Sequence, residues 1–240
     1  KQAGCEIDGI EVGNEFAWCD FNGDFPIMPE GAGFTYDASY TYSSLPEKVR
    51  TGLNKVGITV RQTRQAIDEN WGQEQEPVLI LGGLNYFVDP SWMISKGGTI
   101  MKPDYVLQIL SGSASDQPPS ADYLAYLDGI AVHLYPNNTY TPNPQLMKIS
   151  AENYINDFME GVDTITDMPV HITEMGYKIS VNGIENDSRR TEMFLQFFEA
   201  LKSNETYTWG PVYVYSWDQG DHRITDKGKL LHTAQHIFHD

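Results

Sequence analysis

The chain has 240 residues, 40% of them hydrophobic, with 33 acidic against 16 basic side chains and a formal net charge of -17. That apolar share supports a full core and excludes a disordered chain, and the length fits one large domain or two small ones. The acidic balance, without a Lys/Arg cluster, excludes a nucleic-acid partner and disfavours an anionic membrane surface. No run approaches the ~20 apolar residues of a membrane span.

The chain opens at Lys1 with no Met and no signal peptide, as a processed or excised chain would. Ile7–Gly13 is a strand-like run ending in Asn14-Glu15. Cys5 and Cys19 flank it, and an extended strand holds them beyond disulfide reach, so two free thiols are expected. The segment Phe16–Ser44 reads as a long aromatic and acidic loop. Within it Asp20, Asn22 and Asp24 alternate as in calcium loops, but no distal Glu follows, and an acidic turn is the expectation.

From Pro46 to Asn70, Val49, Leu53, Val56, Val60 and Ile67 recur at helical spacing, with Ser44 as candidate cap. Pro77–Gly83 is a short apolar run suited to a strand buried on both faces. Helices are predicted over Pro103–Leu110 and Ala121–Leu127. Gly129–Tyr135 is a strand ending in His133-Leu-Tyr135. Ser150 is the predicted cap of a helix reaching Ile165. The strand Pro169–Thr173 ends in Glu174, and Asp187 or Ser188 can cap a helix to Lys202. A strand Val212–Trp217 and a helix Lys229–Phe238 complete the chain.

Strands alternating with helices call for a parallel sheet with right-handed crossovers. The predicted fold class is α/β, one domain over residues 1–240, with about five parallel strands and flanking helices. A carboxylate at the C-terminal tip of a parallel strand is costly as core and useful as chemistry. Two such tips, Glu15 and Glu174, suggest a paired-carboxylate reaction.

Four strand tips carry Asn14-Glu15, His133-x-Tyr135, Glu174 and Trp217, in that order. In this order and context they resemble the catalytic face of clan A, the retaining glycoside hydrolases built on (β/α)8 barrels. The resemblance implies that Glu15 is the acid/base and Glu174 the nucleophile. It also implies that Asn14 binds the sugar 2-hydroxyl, Tyr135 holds the nucleophile, His133 lines the same subsite, and Trp217 floors the sugar ring. If the first strand matches the clan's fourth, the fifth matches its eighth. The chain then resembles strands four to eight of a partial TIM-type barrel, the N-terminal barrel strands missing. A circular permutation has no room, since only one helix is predicted after Trp217.

The resemblance implies an oligo- or polysaccharide substrate with a β-linkage, no metal and no cofactor, and a secreted or extracytoplasmic location. A non-catalytic carbohydrate-binding or scaffold remnant of a truncated glycosidase is the other reading. The two open edges of a cut barrel predict a partner, either a homodimer or a missing N-terminal half-barrel. Other features read blandly: His232 and His236 as a solvated helix face, Ser216 without a nucleophile elbow, and Glu11 pointing to either side of its strand. The glycosylation pattern at Asn137, Asn186 and Asn204 is too frequent by chance to assign a compartment.

Overall fold

The apolar runs are strands, and they pair into one parallel sheet. The structure, a computed structural model, describes residues 7–72, 76–136, 140–181, 184–185, 187–216, 220–226 and 229–232. In chain order the strands are β1 (Gly9–Val12), β2 (Phe34–Tyr36), β3 (Val78–Leu84), β4 (Thr99–Met101), β5 (Gly129–Leu134) and β6 (Val170–Met175). A two-residue hairpin, β7 (Ser180–Val181) and β8 (Ile184–Glu185), precedes β9 (Trp209–Val214). The main sheet has the order β1-β3-β5-β6-β9, every pair parallel. It is a five-strand α/β arc, as part of a TIM-type barrel would be.

Helices α1 (Glu47–Asn70), α3 (Pro103–Ser111), α4 (Pro144–Phe158) and α5 (Asp187–Ser203) cover one face, and α2 (Ser91–Ser95) lies in a loop. Alternation divides each strand between its faces. Leu79, Leu81, Ile130, Val132, Val170 and Ile172 join the core with Val49, Leu53, Val60 and Ile67 of α1. Gly57 brings α1 close to its neighbours, since a Cβ there would lie 2.1 Å from the Tyr123 ring. The other face is curved. Glu11 on β1 accepts a hydrogen bond of 3.2 Å from Thr173 on β6, two strands beyond its neighbour. Among the described residues, β1 and β9 have no sheet partner on their outer edges. Tyr213 on β9 is 58% exposed, an apolar ring left in solvent on the last strand of the sheet. No helix of the described residues is long and apolar enough to cross a membrane.

The structure corrects several boundaries. The segment from Phe16 to Ser44 is not structureless, because β2 pairs in parallel with β4. Ser44 does not cap α1; its hydroxyl donates to the Thr41 carbonyl at 2.7 Å, and Pro46 stands at the cap position. The 121–127 helix is a single 3-10 turn, Leu124–Tyr126, set off by the Asp122 side chain accepting from the Leu124 amide. Helix α4 starts at Pro144, since Asn143 caps it, and it ends at Phe158 because Gly161 turns left-handed at φ 81. Strand β9 ends at Val214, and β10 (Thr225–Asp226) pairs antiparallel with β11 (Lys229–Leu230) where a helix was predicted to start. Asn22 serves a turn: its carbonyl accepts from the Asp24 amide and its amide donates to Phe16. Cys19 is a buried free thiol. Cys5, Asn137, Asn186, Trp217 and His236 lie outside the described residues.

Candidate active site

The site begins where β1 ends. Gly13 has φ +100, and a Cβ there would meet the Phe16 ring at 2.8 Å, so the bend needs glycine. Glu15 follows in left-handed backbone at φ 46, an uncommon conformation for a residue with a Cβ. Its amide donates to the Gly83 carbonyl at 2.9 Å. The buried pair Phe16 and Ala17 anchors the turn from beyond. The backbone thereby aims the Glu15 side chain over the end of the sheet, leaving it 5% exposed.

Two irregularities shape the centre. The β3–β5 register shifts between Leu81 and Leu84, where Gly82 and Gly83 stand. Gly83 has φ +48, and a Cβ there would press to 2.9 Å from the His133 ring and 3.0 Å from the Glu15 amide. The β5–β6 register shifts between Val132 and His133, so His133 pairs with Glu174. Such bulges re-aim side chains at the ends of strands. His133, 1% exposed, places Nδ1 2.8 Å from Glu15 Oε1 and 3.6 Å from Glu174 Oε2. Nδ1 thus faces a carboxyl oxygen of each acid, one at hydrogen-bond distance and one beyond it. The ligand-type atoms of Glu15, His133 and Glu174 all lie within 4.8 Å of one another.

Tyr135 donates its hydroxyl to Glu174 Oε2 at 2.5 Å. Burial first, and that bond next, push the phenol well above its ordinary pKa, so it stays a donor. Its own amide donates to the Tyr154 hydroxyl at 3.0 Å, which anchors the loop on α4. Asn14 is exposed beside Glu15. The structure thus brings Glu15, His133, Tyr135 and Glu174 together and leaves Asn14 at the rim. The same three donors, Glu15, His133 and Glu174, form a compact set that could hold a metal ion. Those atoms are already engaged with one another and with Tyr135.

Three neighbours join the site without a motif to mark them. His222 packs at a tilt against Tyr135 with ring centroids 5.1 Å apart, and Tyr215 meets the same ring edge-on at 6.2 Å. Burial lowers the His222 pKa to about 4; the charges of Lys178 and Arg190 reinforce this, and Asp221 opposes it. His222 is therefore a neutral wall of the site at neutral pH. Glu11 keeps solvent on the open side of the arc, yet crowding on its other side raises its carboxyl above the usual range. His133 and the Thr173 and Gly83 hydrogen bonds oppose that rise, and the Glu174 charge adds to it. Glu11 alternates with Ile10 and Val12, which was the one sequence signal for it. A cavity of about 660 Å³, lined by Asn85, Tyr86, Phe87, Tyr154 and Lys178 among others, abuts the acid pair through Tyr135 and does not contain it.

No protein-family profile matches the sequence, and no curated protein matches it. Solved structures do. A GH128 (subgroup II) endo-β-1,3-glucanase from Sorangium cellulosum aligns with a TM-score of 0.50 at 14% identity, over 78% of this chain and 62% of its own. One of two fungal β-1,4-galactanases aligns at 0.47 and 12% identity, over 99% of this chain and 63% of that one. A β-glucosidase from Exiguobacterium marinum aligns at 0.42 and 15%, over 74% and 51%. The fold is that of part of a TIM-type barrel, as in the Sorangium glucanase. The chain spans less than two thirds of the length of each of these three structures.

Proposed function

We propose that this chain carries the catalytic face of a glycoside hydrolase that cleaves a β-linked glycan with retention of configuration. One observation carries the reading: carboxylate oxygens of Glu15 and Glu174 approach within 4.8 Å, on two strand tips of one sheet, with His133 between them. Retaining enzymes hold their two carboxyl groups about 5–5.5 Å apart, and inverting ones about 6.5–9.5 Å. Glu174, held by Tyr135, attacks the anomeric carbon as Glu15 protonates the departing glycosidic oxygen. Water then adds to that carbon, Glu15 takes its proton, and the Glu174 carboxylate departs. Asn14 binds the 2-hydroxyl, His133 lines the subsite, and Trp217 supplies the sugar's aromatic floor. The test is incubation with β-glucan, mannan and xylan, with released ends followed by NMR. New ends of the substrate's own anomeric form support the reading; inverted ends overturn it.

A second reading is favoured by the open arc. With the outer edges of β1 and β9 unpaired among the described residues, the arc is open at both ends, as suits a carbohydrate-binding remnant. Glycan binding without turnover in the same incubation selects it. On either reading we propose that the arc is closed by a partner, a second copy being the simplest. The exposed Tyr213 and Tyr215 on β9 and beyond offer the apolar edge. Sedimentation of dilute protein is expected to show a dimer at micromolar concentration; a stable monomer overturns this proposal.

A further inference from the structure

Glu15 and Glu174 sit on strands that do not touch. Between β1 and β6 lie β3 and β5, so the sheet fixes the acids' separation through three successive pairings. Two of those pairings shift register beside the site, at Leu81/Leu84 and at Val132/His133. A ladder interrupted twice is a loose ruler for a distance that the chemistry needs within fractions of an ångström.

A direct link spans the same gap. Glu11 lies four residues before Glu15, and Thr173 immediately precedes Glu174. The Thr173 hydroxyl donates to Glu11 Oε1 at 3.2 Å, across the face of β3 and β5. The Glu11 carboxylate also accepts from the Gly83 backbone, the residue that receives the Glu15 amide. Gly82 leaves room for this, since a Cβ there would stand 2.8 Å from Glu11 Cγ. The groups facing Glu11 are His133 from β5, Glu174 from β6, and the Thr173 hydroxyl.

We propose that Glu11 and Thr173 form a strap that sets the spacing of the two acids, and that both are positioning residues for the reaction. The inference rests on the reading of Glu15 and Glu174 as the reacting pair. The strap ties the strand carrying one acid to the strand carrying the other, one layer beneath them. It also puts a third carboxylate under His133, so the strap and the acid pair share one electrostatic environment.

The test is a double-mutant cycle on Thr173→Val and Glu11→Ala, with Thr173→Ser as the conservative control. Thr173→Val keeps shape and removes only the hydroxyl. It is expected to lower kcat roughly 10- to 100-fold with KM within about twofold, because misplacement of a reacting group costs turnover. Thr173→Ser retains wild-type kcat. The double variant loses no more than the worse single one, since both break the same link. A kcat within twofold of wild type in Thr173→Val, or additive losses in the double variant, overturns the strap. Carboxyl 13C NMR of Glu15 and Glu174 reads the strap without turnover. Their titration curves are expected to move in Thr173→Val and to stay in place in Thr173→Ser; unmoved curves in Thr173→Val also overturn it. A wild type that cleaves no glycan fails the proposed function, and the NMR titrations still decide the strap.

Discussion

Glu174→Gln lowers turnover of any cleaved glycan by roughly four orders of magnitude or more, the scale on which loss of a covalent nucleophile acts. The amide keeps the shape of the carboxylate, and its oxygen can still accept from Tyr135, which now donates at 2.5 Å to Glu174. Folding and glycan affinity therefore change little. Glu15→Gln behaves differently. Its loss is about 10²–10⁴-fold on substrates whose leaving oxygen needs a proton, and small on activated aryl glycosides. Rates for both variants on a polymer and on an aryl glycoside separate the two acids. Wild-type turnover in Glu174→Gln would place the chemistry elsewhere.

The largest stability effect belongs to a residue that touches neither acid. Arg190 on α5 is fully buried, and its Nε donates to Asp187 at 2.7 Å. Its remaining nitrogens donate to the carbonyls of Tyr177 at 3.3 Å, His222 at 3.4 Å and Arg223 at 2.6 Å. One planar cation thus ties the loop after β6 to the loop after β9, including the His222 that packs on Tyr135. Arg190→Met leaves a buried carboxylate and three carbonyls without this donor. The expected cost is about 3–5 kcal/mol, a fall in Tm of roughly 6–20 °C for a domain of this size. Arg190→Lys recovers only part of it, because a point charge cannot replace the fork. Urea or thermal melts measure the loss, and less than about 1 kcal/mol would show that these loops hold without the clamp.

Much of this site was legible because its strands are short apolar runs that stop at an acid or at His-x-Tyr. β3, β5 and β6 lie within a residue or two of where those runs put them, and helix α1 keeps an apolar spacing that only Thr63 interrupts. Strand β9 was placed late because Tyr213-Val-Tyr215 keeps strand composition past the point where pairing with β6 stops, at Val214. Helix α4 starts before the predicted cap Ser150, because Asn143 caps it and Pro144 suits its first turn. Three-residue strands such as β2 and β4 have too few positions to show a period. The strap between Glu11 and Thr173 joins positions 162 apart, which no local pattern records. Register shifts are likewise properties of a pair of strands, not of either one.

The left-handed backbone of Glu15 separates two demands on one position. For folding alone, glycine would suit residue 15 better, since it adopts positive φ at no steric cost. A long acidic side chain there is a compromise of foldedness for reach: the twist that strains the residue carries its carboxylate to His133. Stabilising this protein at position 15 and preserving the proposed chemistry are therefore opposed aims. Engineering for robustness belongs on the helical face, away from the strand tips.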